Sequence, residues 1–293
     1  MRIGFADCRI ARATDLTAER RHLNRWLEAG MHGTMTYMTR HVEKRTQPSL
    51  LAEHTRTVAS LAVNYFPRVR QRPELPQIAK YAYGTDYHIV VKKMLRLLLT
   101  SLRNRYGKVS GRAFTDSAPV MEHAWAERSG LGWTGKHSLT IHPRFGSYIF
   151  LGELFLDLDL EPDSPIVNRC GCCTRCMDAC PTKAIVAPRV VDARRCLSYL
   201  TIEHKGDLPP SQSLHRRLFG CDICQDACPW NKKAQPACIP EFEPNRLLLE
   251  KTEEEWTQLS SEEFNRLTES SPLQRAGIVS IQRNLAGTNP KFQ

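Results

Sequence analysis

The chain has no apolar run approaching the roughly 20 residues that a membrane-spanning helix needs. Its first residues, MRIGFADCRIARATD, also lack the charged-then-apolar pattern of a secretory leader. Together these absences predict a soluble, cytoplasmic protein with no membrane partner. No low-complexity tract is present, and nothing repeats internally except a cysteine motif. Acidic residues are in short supply, 31 against 41 Lys and Arg, so the formal charge is +10. Such a surface attracts phosphate-rich or otherwise acidic partners, nucleic acid among them, where the charge is clustered.

What the chain does have is length and cysteine. Its 293 residues, 41% of them apolar, leave room for roughly two domains with an ordinary core. The 11 cysteines are an odd number, which argues against a fully paired disulfide framework, and a reducing compartment favours metal ligands or reactive thiols. Five of them crowd into CGCCTRCMDACP, residues 170–181.

Cys170, Cys173, Cys176 and Cys180, followed by Pro181, reproduce C-x2-C-x2-C-x3-C-P. In that motif three thiolates wrap one four-iron cluster and the fourth reaches a second cluster. Cys196, Cys221, Cys224 and Cys228, with Pro229 after the last, form a variant in which one ligand stands well upstream. Exchanging the final cysteine of each run yields two complete sets. One is Cys170, Cys173, Cys176 and Cys228; the other is Cys180, Cys196, Cys221 and Cys224. Cys172 fits neither register, and Cys8 and Cys238 are left over as ordinary thiols. The C-x2-C elements alone also permit a pair of zinc knuckles. The tight triplet and the two trailing prolines favour two [4Fe-4S] clusters. With about −2 on each oxidised cluster the protein would keep roughly +6.

Around this region the apolar pattern marks out elements. Helices are expected over 15–30, with Gly30 as its stop, over 88–106, and from Pro119 to near Gly130. TVASLAVNYFP (57–67) and GSYIFLGELFLDLDL (146–160) read as buried strands, and GLGWTGKHSLTIHP as a glycine-rich turn leading into a strand. Two closing helices are expected in EEEWTQLSSEEFNRL and SPLQRAGIVSIQRN. The fold class is therefore α+β, an α/β sandwich over 1–165, a ferredoxin-like two-cluster domain over 166–240 and a short helical tail over 241–293. A bare electron carrier needs no such large preceding domain, so the clusters are expected to feed a catalytic unit.

In that unit HGTMTYM, YAYGTDYH, DSAPVMEH, GLGWTGKHSL and GSYIFLGEL, followed by RRCLSYLTIE and FGCDICQDACPWN, occur in an order that resembles epoxyqueuosine reductases, over nearly the whole chain. The resemblance implies a cobalamin and iron-sulfur enzyme. Its reaction would be two-electron reduction of the epoxide on the wobble base of a tRNA to the cyclopentenediol of queuosine, with electrons from an external donor. It implies Asp116 as the acid that protonates the departing oxygen, which requires a raised carboxyl pKa. On the residues alone, Asp116 reads first as a helix N-cap ahead of Pro119. The resemblance further implies that Arg45, Ala79, Thr140 and Leu151 line the corrin, that Ser198, Cys221 and Asp222 meet it from the cluster side, and that His137 approaches the cobalt face.

Two departures from the family stand out. His123 occupies a position where relatives commonly carry arginine, so any positive charge there is expected to depend on pH. Many members continue into helical repeats that help grip tRNA, whereas this sequence runs to Gln293. Lys205, Arg216, Arg217, Lys232 and Lys233 are the first basic candidates for the tRNA contact. Rival readings are a reductive dehalogenase-like cobalamin enzyme and a non-catalytic electron-transfer or cobalamin-binding protein.

Overall fold

A computed structural model describes residues 3–208 and 212–287. At its centre lies a four-stranded antiparallel sheet in the spatial order Asp7–Arg12, Thr57–Asn64, Ile149–Leu156, Gly111–Phe114. The run IFLGELFL forms an inner strand, and all its residues are buried, because both faces are covered. One face packs Phe150, Leu154 and Leu156 against Val91, Leu95 and Leu99 of the long helix Tyr87–Tyr106. Gly152 permits this approach: a Cβ there would stand 3.0 Å from the side chains of Val91 and Leu95. The alternate residues turn to the other face, where Phe155 meets Trp125 and Ile149 and Leu151 meet Ala126, both partners lying on helix Glu122–Arg128.

Leu95 is fully buried in the first of these layers. Leu95→Ala is expected to cost about 2–5 kcal/mol, from lost transfer energy and the void it leaves. A denaturant midpoint falling with an unchanged slope would show it; an unchanged midpoint would mean that the layer collapses around the gap.

Local sequence accounts for several element ends. Asp86 caps the long helix by accepting the His88 N–H at 2.9 Å, and Gly107 ends it at φ 81°. The first helix runs Thr17–Glu28, with Gly30 beyond it at φ 64°. The helix expected from Pro119 begins instead at Glu122, because residue 116 has left-handed backbone at φ 45° and its N–H bonds forward to Glu122. The glycine-rich turn closes a small hairpin, Trp133–Thr134 with Thr140–Ile141.

After the sheet, short helices Arg175–Ala179 and Ile223–Asp226 pack together among the cysteines. EEEWTQLSSEEFNRL forms two helices rather than one, Glu253–Gln258 and Ser261–Leu267, each opened by a capping box on Thr252 and Ser260. Helix Gly277–Ala286 follows. Trp256, Phe264, Leu273 and Ile281 share a core with Ile78, Ala82, Leu218 and Phe219, so the closing helices pack into the cysteine region and the sheet-bearing region at once. No helix among the described residues is long and apolar enough to cross a membrane.

Candidate active site and cysteine-lined cavities

Asp116 follows the edge strand Gly111–Phe114 and buried Thr115, whose hydroxyl donates to the Leu151 carbonyl at 2.8 Å. Its backbone N–H donates to Glu122 Oε1 at 2.5 Å. The Tyr87 hydroxyl donates to Asp116 Oδ2, and Tyr87 is held by stacking on Phe150 with ring centroids 4.3 Å apart. His88 Nε2 stands 3.6 Å from the same carboxylate oxygen, and His88 Nδ1 lies 2.7 Å from Asp86 Oδ1. The first turn of the long helix thus presents Asp86, Tyr87 and His88 to Asp116.

This arrangement reverses the expected titration. Burial pushes the Asp116 carboxyl up, but hydrogen bonds from His88 and Tyr87 outweigh it and hold the group below the usual carboxylate range. Burial opposes the charge on His88 as well, yet its two carboxylate neighbours raise it to about 9. At neutral pH the proton therefore sits on His88 and Asp116 is ionised, rather than Asp116 carrying a raised pKa. A histidine raised above its unfolded value of 6.5 contributes stability that is complete below pH 6.5 and lost as pH rises through about 9. His88→Gln should flatten the pH dependence of the unfolding midpoint across that window; an unchanged dependence would show that His88 is not the group responsible.

Three cavities meet at Asp116, of about 490, 640 and 220 Å³. Asp116 keeps 54% of its side-chain surface accessible because it projects into these spaces. Together they exceed the roughly 300–1,000 Å³ of a pocket for a drug-sized ligand. Thr140, Leu151, His137, Ser198, Cys221 and Asp222 all line the 490 Å³ cavity. Arg45 lines the 640 Å³ one, with its Nη2 donating to the Tyr37 carbonyl at 2.9 Å and its buried Nε unpartnered. His137 Nδ1 accepts the Leu139 N–H at 3.2 Å, so the ring proton lies on Nε2, which is buried without a partner. Burial lowers this imidazole to about 4, so it is neutral.

Two sequence expectations need correction, those for Ala79 and His123, whereas Asp222 lies on the expected cavity. Ala79 is buried, its N–H serves the Phe219 carbonyl at 2.8 Å, and it is not on the lining of the three cavities. Asp222 reaches the cavity wall, but its carboxylate is engaged: Oδ2 accepts the Lys80 N–H at 2.7 Å and lies 3.3 Å from Lys80 Nζ. Lys80 in turn bonds Asp226 at 2.7 Å, tying the sheet-bearing region to the cysteine loops. His123 is no pH-dependent cation near neutrality, because desolvation of its ring lowers its pKa and its Nδ1 accepts the Thr140 N–H at 3.3 Å. The fixed cations lining the cavities at Asp116 are Arg40, Arg45 and Arg275. Lys205, Arg216, Arg217, Lys232 and Lys233 are not on those linings.

The cysteines gather around two spaces. Cys170, Cys173, Cys176 and Cys228 line a cavity of about 230 Å³, whereas Cys180, Cys196, Cys221 and Cys224 line one wall of the 490 Å³ cavity. The prolines explain the exchange. A residue before proline is driven out of helical conformation, and Cys180 (φ −69°, ψ 111°) and Cys228 (φ −72°, ψ 125°) are both extended. Each fourth thiol is thereby turned away from the run that precedes it. Burial first, then neighbouring thiols, push Cys176 and Cys228 up; burial takes Cys221 to about 12. Thiolates so placed need a cationic centre among them. Among the described residues no three His, Cys, Asp or Glu side chains gather as ligands of one metal ion do; the thiols ring volumes. Cys172 and Cys238 are exposed, Cys8 is partly buried, and none of the three is on these linings.

Tyr87, His88 and Glu122 were not singled out by sequence reasoning, although all lie within motifs quoted above. The available signal was Asp86, a capping residue placing Tyr87 and His88 in the first helical turn.

Two family models match the chain: epoxyqueuosine reductase QueG over residues 45–117, and a 4Fe-4S double cluster binding domain over residues 169–231. The sequence is 44% identical over 287 residues to the epoxyqueuosine reductase of Cellulophaga algicola, covering 97% of this chain and 94% of that one. A crystal structure of an epoxyqueuosine reductase with a tRNA-Tyr epoxyqueuosine-modified stem loop superposes with a TM-score of 0.91 at 30% identity, covering 98% of this chain and 78% of that one. The Bacillus subtilis enzyme, captured with an aspartate catalytic loop swung out of its active site, superposes at 0.90 with 30% identity and the same coverage.

Proposed function

Because the chain belongs to the epoxyqueuosine reductase family, we propose that it reduces epoxyqueuosine to queuosine at the wobble position of tRNA, in the cytoplasm, with electrons from an external donor. The observation that carries this reading is the position of Asp116. It stands where three cavities meet, and four thiols line one wall of the 490 Å³ one.

Two [4Fe-4S] clusters belong to the double-cluster domain. Cys170, Cys173, Cys176 and Cys228 would hold one, and Cys180, Cys196, Cys221 and Cys224 the other. The joined cavities suit cobalamin, and the orphaned His137 Nε2 and Arg45 Nε are donors that such an amide- and phosphate-bearing ligand would satisfy. Thr140, Leu151 and Ser198 would close around it. When bound, cobalamin supplies a strongly reducing cobalt centre, replenished one electron at a time through the clusters.

The chain's own residues handle protons and position. The His88 proton at Nε2, 3.6 Å from Asp116 Oδ2, passes to that carboxylate, which delivers it to the departing epoxide oxygen. Tyr87 holds the carboxylate in place meanwhile. Arg40 and Arg275 meet the phosphates of an anticodon loop whose unstacked base enters whole.

The test is anaerobic incubation of reconstituted protein with reductant, cobalamin and tRNA carrying epoxyqueuosine, followed by nucleoside analysis. Queuosine should accumulate. Its absence, with a relative converting the same tRNA in parallel, would overturn the reading.

A further inference from the structure

Behind Asp116 the structure holds an arrangement that ordinary packing does not explain. Glu153, at 0% exposure, sits on the inner strand between Ser60 and Phe114, and its side chain shares the face of Leu151 and Phe155 that meets helix Glu122–Arg128. Neither of its carboxylate oxygens has a donor. Its neighbour there is Glu122, which opens onto the same 490 and 640 Å³ cavities as Asp116 and accepts the Asp116 N–H.

Two neighbouring carboxylates, one of them fully buried, do not both ionise near neutral pH. A proton on Glu153 makes it the donor of a hydrogen bond to Glu122, and accounts for the absence of any donor to Glu153 itself. The charged groups acting on the pair are Asp116, from the loop beyond the edge strand, and His88, from the long helix. On the remaining sides the polar groups are uncharged or paired elsewhere. Ser60, Thr134 and Thr140 are neutral, as is His123; Arg12 faces Asp159, Arg9 faces Asp163, and on the same helix Glu127 pairs with Arg189 and Arg128 with Glu19. Burial first, and then the Asp116 carboxylate, push Glu122 up to about 8.

Resting on the proposed reaction, the balance is specific: an epoxide, two electrons and two protons give an alkene and water, both C–O bonds breaking. The electrons come from the external donor by way of the clusters. His88 and Asp116 account for one proton. We propose that Glu122 and Glu153 form a proton-holding pair that supplies the second, delivered from the Glu122 carboxyl facing the cavity to the oxygen leaving as water.

The experiment uses protein carrying both clusters and cobalamin, first without tRNA. An infrared pH titration should show a protonated-carboxyl C=O band that bleaches with a midpoint near 8. Glu122→Gln, which keeps an oxygen for the Asp116 N–H, should lack the titrating band. In turnover this variant should lose about 10²-fold in kcat with little change in KM for tRNA. Glu153→Leu removes the hydrogen bond by which the protonated Glu153 carboxyl steadies the Glu122 carboxylate, and should move the midpoint of Glu122 up by about one unit or more. A wild-type protein with no titrating band, a midpoint that fails to rise in Glu153→Leu, or normal turnover in Glu122→Gln would each overturn the proposal. The infrared result holds whatever the substrate proves to be, whereas wild-type protein that makes no queuosine sinks the reaction and not the pair.

Discussion

Asp116→Asn is expected to lower turnover by about 10²–10⁴-fold, the usual worth of a positioned acid or base, while iron content, corrinoid binding and tRNA affinity stay as in the wild type. Asparagine is the informative replacement. Residue 116 has φ 45°, a region that asparagine and aspartate enter more readily than alanine, so backbone strain is not confounded with lost chemistry. The amide cannot relay a proton and removes one of the two carboxylates that hold His88 protonated. The His88 pKa should therefore fall from about 9 toward 6.5, a shift that NMR titration reads independently of activity. A variant that turns over normally would remove Asp116 from the chemistry. One that is inactive with an unmoved His88 titration would break the proposed relay.

The second large effect is expected at Cys228. Cys228→Ala should lose one cluster of the two and bring queuosine formation to background, because two linked centres are a single electron path. Its partners, Cys170, Cys173 and Cys176, lie far earlier in the chain but line the same 230 Å³ cavity. Additivity tests that grouping. Cys228→Ala combined with Cys170→Ala should retain as much iron as either single variant, because both strike the same cluster. Cys228→Ala combined with Cys221→Ala should lose both clusters. The reverse pattern would place Cys228 with its sequence neighbours. Cys172→Ala, altering an exposed thiol, should leave iron content unchanged.

Much of this protein was legible from local rules. Cysteine spacing and the two prolines depend on a few adjacent bonds: a proline drives its predecessor into extended backbone whatever lies elsewhere in the fold, so the bend at Cys180 and at Cys228 could be read before any packing was known. The long helix and the buried inner strand were legible for the same reason, since their apolar periods extend over many residues. Pro119 misled because a residue favourable at the first turn of a helix is also favourable in a loop. What kept the helix from starting there was the left-handed backbone of Asp116 and its bond forward to Glu122, neither of which leaves a mark in composition.

The protonation of the site belongs to tertiary structure alone. Asp86, His88, Asp116, Glu122 and Glu153 come from a helix cap, a helical turn, a loop, a second helix and a strand. Each carboxylate's charge is decided by which of the others stands opposite it and by how much water remains between them. The sequence by itself determined which side chains could bind iron and where the chain would bend to bring them round. Only the folded chain decided that Asp116 is ionised, that His88 carries its proton and that Glu153 has no cation, because pKa values follow distances across the core and not order along the backbone.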